Sequence, residues 1–297
     1  MLKLLNVLWS SFKMALQELR VNKLRTFLSL FGITIGIFCI IGILSTINSL
    51  KFNIQSTVSS LGANTIYIQK EPWSGANASE SWRYASRPNP RIEDLQMIKD
   101  RAPGAEYVAF LTFGGSEMEY LNARLDQVTW YAITEDYHEI QPIDVAYGRY
   151  FSPSDFQSGS NKIVMGYANA EKLFGLPELA VGKSVTIKGR KATVAGVMKK
   201  YGQSNLGGWD FDNICLLPYH FAKNITNNRL AAGMIMVKGR EGLSVGALKE
   251  ELTGAMRSIR KLSPLEEDNF SLNEISAANE LLDTIFDSIN AGGWAIA

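Results

Sequence analysis

The feature that most constrains this chain is an uncharged apolar segment near its N-terminus. Residues 26–50, TFLSLFGITIGIFCIIGILSTINSL, contain no Asp, Glu, Lys or Arg. A helix of that length spans ~37 Å at about 1.5 Å per residue, which exceeds the ~30 Å hydrocarbon core of a bilayer. The sequence therefore predicts a transmembrane helix at 26–50. A buried core helix and a cleavable signal peptide are the alternatives, but signal peptides have shorter apolar regions of ~7–15 residues and end in a small-residue cleavage site.

Basic residues precede this segment. Residues 1–25 carry a net charge of +4, because five Lys and Arg face the single Glu18. Basic residues next to a membrane stay in the cytoplasm. Arg20, Lys23 and Arg25 are therefore predicted to hold the N-terminus inside, in a bacterial inner (cytoplasmic) membrane. Residues 51 onward then lie outside, which is the periplasm in a Gram-negative bacterium.

Amphipathic helices are predicted on both sides of the outer part. Residues 2–20 repeat apolar residues at helical spacing and carry basic residues on the other face, as in a helix on the inner leaflet; a helix packed on protein is the alternative. The apolar pattern continues over 51–61 and ends at Gly62. Residues 276–290 carry a similar stripe. We expect 51–61 and 276–290 to pair as a stalk that leaves the membrane and returns to it.

The composition of the 297 residues excludes several classes of protein. Thirty basic and 29 acidic residues give a net charge of +1, which argues against a nucleic-acid partner. Two Cys and two His are too few for a disulfide framework, or for a four-ligand zinc site built from these residue types alone. Cys39 lies in the membrane segment and Cys215 lies among apolar neighbours, so we expect no disulfide between them and a buried thiol at Cys215.

The outer part alternates strand and helix patterns twice. A strand at 64–69, a helix at 91–101 capped by Asn89 and a strand at 106–113 form the first set. The second set is a strand at 233–237, a helix at 244–261 and a strand at 270–275. Such a split βαβ pair is typical of a ferredoxin-like layer.

The segment between the two sets differs from them in pattern. It contains short strand patterns and turn glycines, and it predicts a smaller β-rich subdomain inserted in the first. The predicted elements are strands at 129–133, 162–165, 184–187, 193–198 and 213–217, a helix at 168–173, and turns at Gly148, Gly182, Gly189 and Gly202.

The predicted fold class is thus α+β, with one N-terminal transmembrane helix and a periplasmic domain that holds both subdomains. The predicted organisation is a cytoplasmic amphipathic helix at 1–25, the transmembrane helix at 26–50, a stalk helix at 51–63, the ferredoxin-like subdomain at 64–125 and 231–275, the inserted subdomain at 126–230, and a returning stalk helix with the start of a second membrane helix at 276–297.

Two segments suggest contacts with other proteins. Residues 71–90 form a polar loop without periodicity that carries Trp73, Trp82 and Tyr84. A mobile loop is one interpretation, and a loop whose aromatic side chains anchor a partner is the other. In the membrane segment, Gly32 and Gly36 form a G-x-x-x-G pattern that permits close approach of a second helix, although glycine is frequent in membrane helices generally.

Motifs of catalysis are missing from the sequence. His138 and His220 stand alone, and neither a G-x-S-x-G elbow nor an H-E-x-x-H helix occurs. Gly182-Lys183-Ser184 resembles the end of a phosphate loop, but position 177 is Pro where that pattern requires Gly. We interpret it as a turn entering a strand, and we attribute acidic pairs such as Glu93-Asp94 and Glu250-Glu251 to solvated helices. No catalytic, metal-binding or cofactor-binding residue is predicted.

The order of several short motifs resembles that of a known family. Residues 15–25 (ALQELRVNKLR), which run directly into 26–36 (TFLSLFGITIG), resemble the start of MacB/FtsX-type ABC transporter permeases. Further motifs are similar, in the same order, to that family's periplasmic core: LGANTI at 61–66, GRYFS at 148–152, KLFG at 172–175, VGKSV at 181–185 and VAGV at 194–197. The resemblance covers essentially the whole chain.

This resemblance implies a permease with four membrane helices, the periplasmic domain lying between the first and second. It implies a second permease copy, as a dimer, and a cytoplasmic ABC ATPase that supplies the phosphate loop and drives motion through the stalk. Members of the family export drugs and peptides, release lipoproteins or control cell-wall hydrolases. A periplasmic adaptor or substrate protein and membrane lipid are therefore the remaining expected partners, and no cofactor is expected.

The chain departs from the family pattern at Ala297, where it stops as a second membrane helix would begin. Two hypotheses follow. The first is the N-terminal portion of a permease subunit, whose energy comes from a partner ATPase. The second is a single-pass, membrane-anchored periplasmic docking module that acts without ATP. An anchored enzyme is disfavoured by the missing motifs.

Overall fold

A computed structural model describes residues 7, 9–14, 17, 23–59, 64–73, 81–202, 210–226 and 233–274. The chain divides into two units, one with residues 1–53 and 282–297 and the other with residues 54–281. The predicted returning helix at 276–290 lies outside the described residues, as does Arg20. Of the predicted helix at 2–20, residues 7, 9–14 and 17 are described and are helical.

A single long helix, α1 (Lys23–Ser59), contains the predicted transmembrane segment. By length and composition its stretch Lys23–Ile47 could cross a membrane. Two hydroxyl groups within it bond to its own backbone: Thr34 Oγ1 donates to the carbonyl of Leu30 (2.7 Å) and Thr46 Oγ1 to that of Gly42 (2.8 Å). Both hydroxyls are therefore matched within the helix, as a membrane-spanning segment would require. The helix continues to Ser59, beyond the predicted segment.

The second unit combines ten described strands with short helices. The strands are β1 (Thr65–Gln69), β2 (Ala105–Tyr120), β3 (Ala123–Ile133), β4 (Val145–Gly148), β5 (Lys162–Met165), β6 (Ser184–Ile187), β7 (Arg190–Met198), β8 (Ile214–Pro218), β9 (Gly233–Gly239) and β10 (Ser271–Glu274). The helices are α2 (Ser81–Ala85), α3 (Asp94–Arg101), α4 (Tyr137–Ile140), α5 (Pro153–Gln157), α6 (Tyr167–Phe174), a 3-10 turn (Pro177–Ala180), α7 (Tyr219–Ile225) and α8 (Val245–Arg260).

Four strands and two helices follow the predicted βαβ pattern. The sets β1–α3–β2 and β9–α8–β10 interleave in the strand order β10-β1-β9-β2, and all neighbours are antiparallel. Side chains alternate across this layer because successive strand residues point to opposite faces. Ile66 and Ile68 of β1 pack with Ile98 of α3 and Leu248 of α8, whereas Tyr67 joins a second core on the other face.

The other strands close on β2. Among the described residues, β2, β3, β8, β5, β7 and β6 pair in turn, and β6 pairs again with β2 at Glu119↔Thr186, so that they form a ring. Its interior is apolar and includes Met118, Trp130, Ile163, Val185, Val194 and Leu217. The strand β2 therefore belongs to both the four-stranded layer and the ring.

Two glycines permit close packing, Gly114 within the ring and Gly148 on β4 beside it. A Cβ on Gly114 would lie 2.2 Å from the Trp130 ring, so only glycine leaves room for that indole. Gly148 has a φ of +79°, and its Cβ would lie 2.3 Å from the carbonyl oxygen of Ala195. The other predicted turn glycines, Gly182, Gly189 and Gly202, also have positive φ, with values of +78°, +74° and +85°.

Three sequence-based expectations were wrong in detail. Asn89 is not a helix cap, because α3 begins at Asp94 and the Asp94 carboxylate instead accepts a hydrogen bond from the Arg91 N–H (3.0 Å). Within the predicted loop 71–90, residues Ser81–Ala85 form a helix, and 74–80 lie outside the described residues. The strand predicted at 106–113 extends to Tyr120 and forms a hairpin with β3.

Candidate contact and coupling surfaces

The first candidate surface lies on α1. Lys23 and Arg25, the two described residues of the predicted topology signal, are exposed at its start. Gly32 and Gly36 are one turn apart and share a face of the helix. In the described part of the chain, and apart from the neighbouring backbone of α1 itself, no atom lies within 4 Å of the position that a Cβ would take on either glycine. The described residues therefore leave this face of α1 uncovered.

The second candidate surface is the aromatic segment at the far end of β1 and β10. Trp73 is held against the domain: its ring lies 4.9 Å from that of Tyr67, its N–H donates to Asn273 Oδ1 (2.9 Å), and its indole N–H donates to Gln69 Oε1 (2.6 Å). Because of these bonds, and with 43% of its surface exposed, Trp73 packs against the domain and is less available than a fully exposed side chain to contact a partner.

Trp82 differs from Trp73, because 70% of its surface is exposed. Its helix α2 is fixed by Arg87, whose guanidinium donates to the carbonyls of Lys70 (3.2 Å) and Phe270 (3.3 Å) and lies 4.7 Å from the Tyr84 ring. The structure thus separates the three predicted anchors: Tyr84 and Trp73 support the segment, and Trp82 points to solvent from an anchored helix.

A third surface, at the tip of the β2–β3 hairpin, was missed from the sequence. Leu121 is 85% exposed and has a φ of +51°, a left-handed conformation that costs a leucine roughly 1–2 kcal/mol. Tyr120 packs against Phe174 with ring centres 4.4 Å apart and the rings tilted by 44°. Leu176 and Leu179, which follow Phe174 in the chain, are also more than half exposed. Strained backbone conformations of this kind are concentrated at functional sites. The sequence did not reveal this hairpin apex, because the predicted strand ended at Phe113.

This tip lies far from the end where the chain joins the domain. Ala105 at the start of β2 pairs with Gly239, one residue from the Thr65↔Lys238 pair at the start of β1. From there β2 runs to Tyr120, a length of ~50 Å measured along the strand at about 3.3 Å per residue.

The buried charged groups of the domain have structural partners. Asp155 accepts hydrogen bonds from Lys162 Nζ (2.7 Å), Arg149 Nη1 (2.9 Å) and the Ser152 N–H (3.0 Å). Burial alone would raise the pKa of Asp155, but the hydrogen bonds from Lys162, Ser152 and Arg149 outweigh it and hold this pKa well below its usual range.

Two acidic residues that we attributed to solvated helices are instead in contact with partners. Asp94 is buried and pairs with Arg260 of α8 at 3.4 Å. Glu251 accepts a hydrogen bond from the Gly104 N–H (2.7 Å). Neither partner is near in sequence, so local patterns could not reveal these contacts.

The described residues offer little for catalysis. Within them, no group of three or more His, Cys, Asp or Glu could hold a metal ion. A cleft of ≈ 190 Å³ contains Glu135 and His220 among mainly apolar neighbours. Cys215 is free and buried, and burial raises the pKa of its thiol to about 12, so it is a poor nucleophile. Gly182-Lys183-Ser184 is a turn that enters β6, as predicted.

Comparison with known proteins identifies the family. The model of the MacB-like periplasmic core domain matches residues 26–255, well over half of the chain. The chain belongs to this MacB-like family. The macrolide export ATP-binding/permease protein MacB of Neisseria meningitidis serogroup A is 28% identical over 190 residues, 64% of this chain and 28% of that protein. The ABC transporter permease YvrN of Bacillus subtilis is 28% identical over 194 residues, 64% of this chain and 47% of YvrN.

Solved structures support the same MacB-like fold. The periplasmic region of MacB from Actinobacillus actinomycetemcomitans superposes with a TM-score of 0.61 at 17% identity, covering 76% of this chain and 95% of that one. The extracellular domain of the ABC-type transporter YknZ gives a TM-score of 0.55 at 20% identity, covering 70% and 99%. The chain spans less than half the length of the Neisseria and Bacillus relatives, so the activity of a whole transporter is a proposal for it.

Proposed function

We propose that this chain is the N-terminal portion of a permease subunit of a MacB/FtsX-type ABC transporter. A separate cytoplasmic ATPase hydrolyses ATP, and the permease transmits the resulting motion to periplasmic domains for export or release of a peptide, drug or lipoprotein. One observation carries this proposal: the MacB-like core domain match at 26–255 begins within an apolar helix long enough to span a membrane.

The periplasmic part has the two predicted subdomains in this proposal. The strand order β10-β1-β9-β2 with α3 and α8 on one face supports a ferredoxin-like subdomain. The strands between β2 and β9 make up most of the ring, which supports a β-rich insertion at about 126–230.

The membrane part supplies topology and packing. Arg20, Lys23 and Arg25 keep the N-terminus in the cytoplasm. Gly32 and Gly36 pack α1 against another membrane helix, either of the same subunit or of a second permease copy in a dimer. Residues 51–63 and 276–290 form the stalk that carries motion out of the membrane.

Contact with a periplasmic adaptor or substrate protein uses exposed apolar side chains. Trp82 on its anchored helix, and Leu121, Leu176 and Leu179 at the hairpin tip, are the side chains that a partner could bury without unpacking the domain. Support for the tip comes from the left-handed backbone of Leu121 and from the 85% exposed surface of its side chain.

The experiment is to purify the native locus product from membranes in mild detergent, through an N-terminal tag, and to identify co-eluting proteins by mass spectrometry. We expect a subunit heavier than 32.9 kDa together with a small cytoplasmic ATPase. A 32.9 kDa subunit without an ATPase would refute the proposal. The single-pass docking module, which the exposed Trp82 and Leu121 also suit, would then be favoured.

A further inference from the structure

The two ends of the periplasmic domain lie side by side at one end of the sheet. The antiparallel register pairs Ile66 of β1 with Glu274 of β10, so the first residues of β1 and the last of β10 are neighbours. The chain comes into β1 from 51–63, and it leaves β10 toward 276–290. Any movement of those two segments therefore reaches the domain at this edge, which we call the base.

The incoming strand is tied to the start of α8. The carbonyl of Asn64 accepts a hydrogen bond from the Gly239 N–H (3.0 Å). Its side-chain amide donates to the carbonyls of Arg240 and Leu243, both at 3.3 Å. Leu243 directly precedes Ser244, the N-cap of α8, whose hydroxyl accepts from the Ala247 N–H (3.2 Å). Asn64 thus holds the loop that sets where α8 begins.

The outgoing strand is tied to the same part of α8. Lys249, in the second turn of the helix, forms an ion pair with Glu274, the last residue of β10. The Lys249 side chain is 42% exposed and that of Glu274 only 21%. A partly buried pair of this kind restrains the end of β10 more than a fully exposed pair would.

The start of β2 is tied there as well. The Gly104 N–H donates to the Glu251 carboxylate (2.7 Å), and the Gly104 carbonyl accepts from the Arg240 N–H (2.9 Å). A Cβ on Gly104 would lie 2.5 Å from Leu243, so β2 begins in direct contact with the loop that Asn64 holds. The loop after β9 and the first half of α8, residues 239–251, therefore contact all three strand ends.

We propose that residues 239–251 act as a clamp, which makes the incoming strand, the outgoing strand and the start of β2 move as one body. Asn64, Lys249 and Glu251 are its positioning residues. This inference rests on the proposed function, since it names the parts of the domain that receive motion from the stalk.

The strands β1 and β10 stop at the four-stranded layer, whereas β2 continues into the ring. A rotation of about 5° at the clamp would move the hairpin tip by about 4 Å over ~50 Å of strand.

The first test needs no nucleotide. The full chain is purified from membranes, and amide hydrogen exchange is compared between wild type and Lys249→Met. We expect exchange to rise at least threefold in 271–274 and also at 64–66 and 104–106, because one continuous segment, residues 239–251, restrains all three. Lys191→Met, an exposed lysine on β7, is the control and should change none of them. A rise confined to 271–274 would overturn the clamp, because a purely local ion pair would do the same.

A charge exchange separates the clamp from a general loss of packing. Lys249→Glu combined with Glu274→Lys should return all three segments to within about twofold of wild-type exchange, since the pair re-forms with reversed charges. Exchange that stays raised at 64–66 and 104–106 in this double variant would contradict the ion pair as the link.

The second test measures the effect of nucleotide. Exchange is measured on the complex with its co-purified ATPase, with and without ATP and vanadate. In wild type, nucleotide should change exchange at 271–274 and 104–106 together; in Lys249→Met the change at 104–106 should fall at least threefold. If nucleotide changed exchange in wild type at only one of the two segments 271–274 and 104–106, the clamp would be refuted. No nucleotide-dependent change anywhere would refute the proposed function instead, and the nucleotide-free result alone would then decide on the clamp.

Discussion

Asp155 offers the sharpest test of how the ring is held together. Its carboxylate is 4% exposed and accepts hydrogen bonds from Lys162, Arg149 and Ser152, which join strand β5 of the ring to two elements beside it, the end of β4 and the start of α5. Asp155→Asn keeps the shape but removes the charge. Breaking a buried ion pair costs about 3–5 kcal/mol. Arg149 and Lys162 are 49% and 36% exposed and can turn to water, so we expect a loss of about 2–3 kcal/mol in the free energy of unfolding.

The pH dependence of this loss has a definite sign. The folded-state pKa of Asp155 lies below its unfolded value of about 3.9. Its contribution to stability is therefore complete above that value, and it is lost as the pH falls through the folded pKa. Wild type and Asp155→Asn should differ by a constant amount from pH 5 to 8, and the difference should begin to shrink below about pH 4 and keep shrinking as the pH falls further.

The assay is urea unfolding of the full chain in detergent, followed by near-ultraviolet circular dichroism at several pH values. The control is Asp126→Asn, whose side chain is 88% exposed although it pairs with Arg124. It should cost less than about 1 kcal/mol at any pH. An equal loss in both variants, or a gap between wild type and Asp155→Asn that persists unchanged into acid, would refute the reasoning.

Three further predictions concern packing and strain. Gly114→Ala should destabilise the domain by about 1–3 kcal/mol, because its Cβ would meet the Trp130 ring; thermal unfolding measures the change. Leu121→Asn should raise the stability by about 0.5–1 kcal/mol, because Asn tolerates its positive φ, while it weakens any partner contact measured by co-purification. Tyr150→Phe should be neutral or stabilising in urea unfolding, because the buried Tyr150 hydroxyl has no hydrogen-bond partner among the described residues.

Each of these variants has a matched control. Gly115→Ala, with no atom within 4 Å of its Cβ, should not destabilise the protein. Leu265→Asn, at a leucine that is 99% exposed, should leave both stability and partner contact unchanged. Tyr147→Phe, at an exposed ring, should be neutral. A loss of more than about 1 kcal/mol for Tyr150→Phe would mean that its hydroxyl does have a partner.

The sequence predicted best those elements whose signals are local. The strands 162–165 and 184–187 match in both bounds, because short β-branched runs lie between clear turn residues. The second half of β2 was missed, because Gly114, Gly115 and Ser116 interrupt the strand pattern in the sequence. The strand nevertheless continues, because this segment pairs with β3 and packs against Trp130. The ring itself depends on the pairing of β6 with β2, which no local pattern encodes.

The candidate surfaces were predicted less completely for the same reason. The aromatic residues of 71–90 could be found by composition, but Asn273 and Tyr67, distant in sequence, decide that Trp73 packs inward. Trp82 stays exposed because Arg87 fixes its helix to the backbone of Lys70 and Phe270. The three residues of the clamp carry no motif at all, and only the fold brings them together.

Because β2 belongs to both the four-stranded layer and the ring, it limits where two related domains can be joined in a chimaera. A segment cut at the edges of the insertion, near 126 and 230, would leave behind Gly114–Tyr120, the strand that closes the ring with both β3 and β6. Grafting the distal part of one relative onto another would therefore expose two unpaired edges unless residues from about 111 onward were transferred with it. Variation between relatives is better accommodated by exchanging the hairpin apex around Leu121, which leaves every strand pairing of the ring intact.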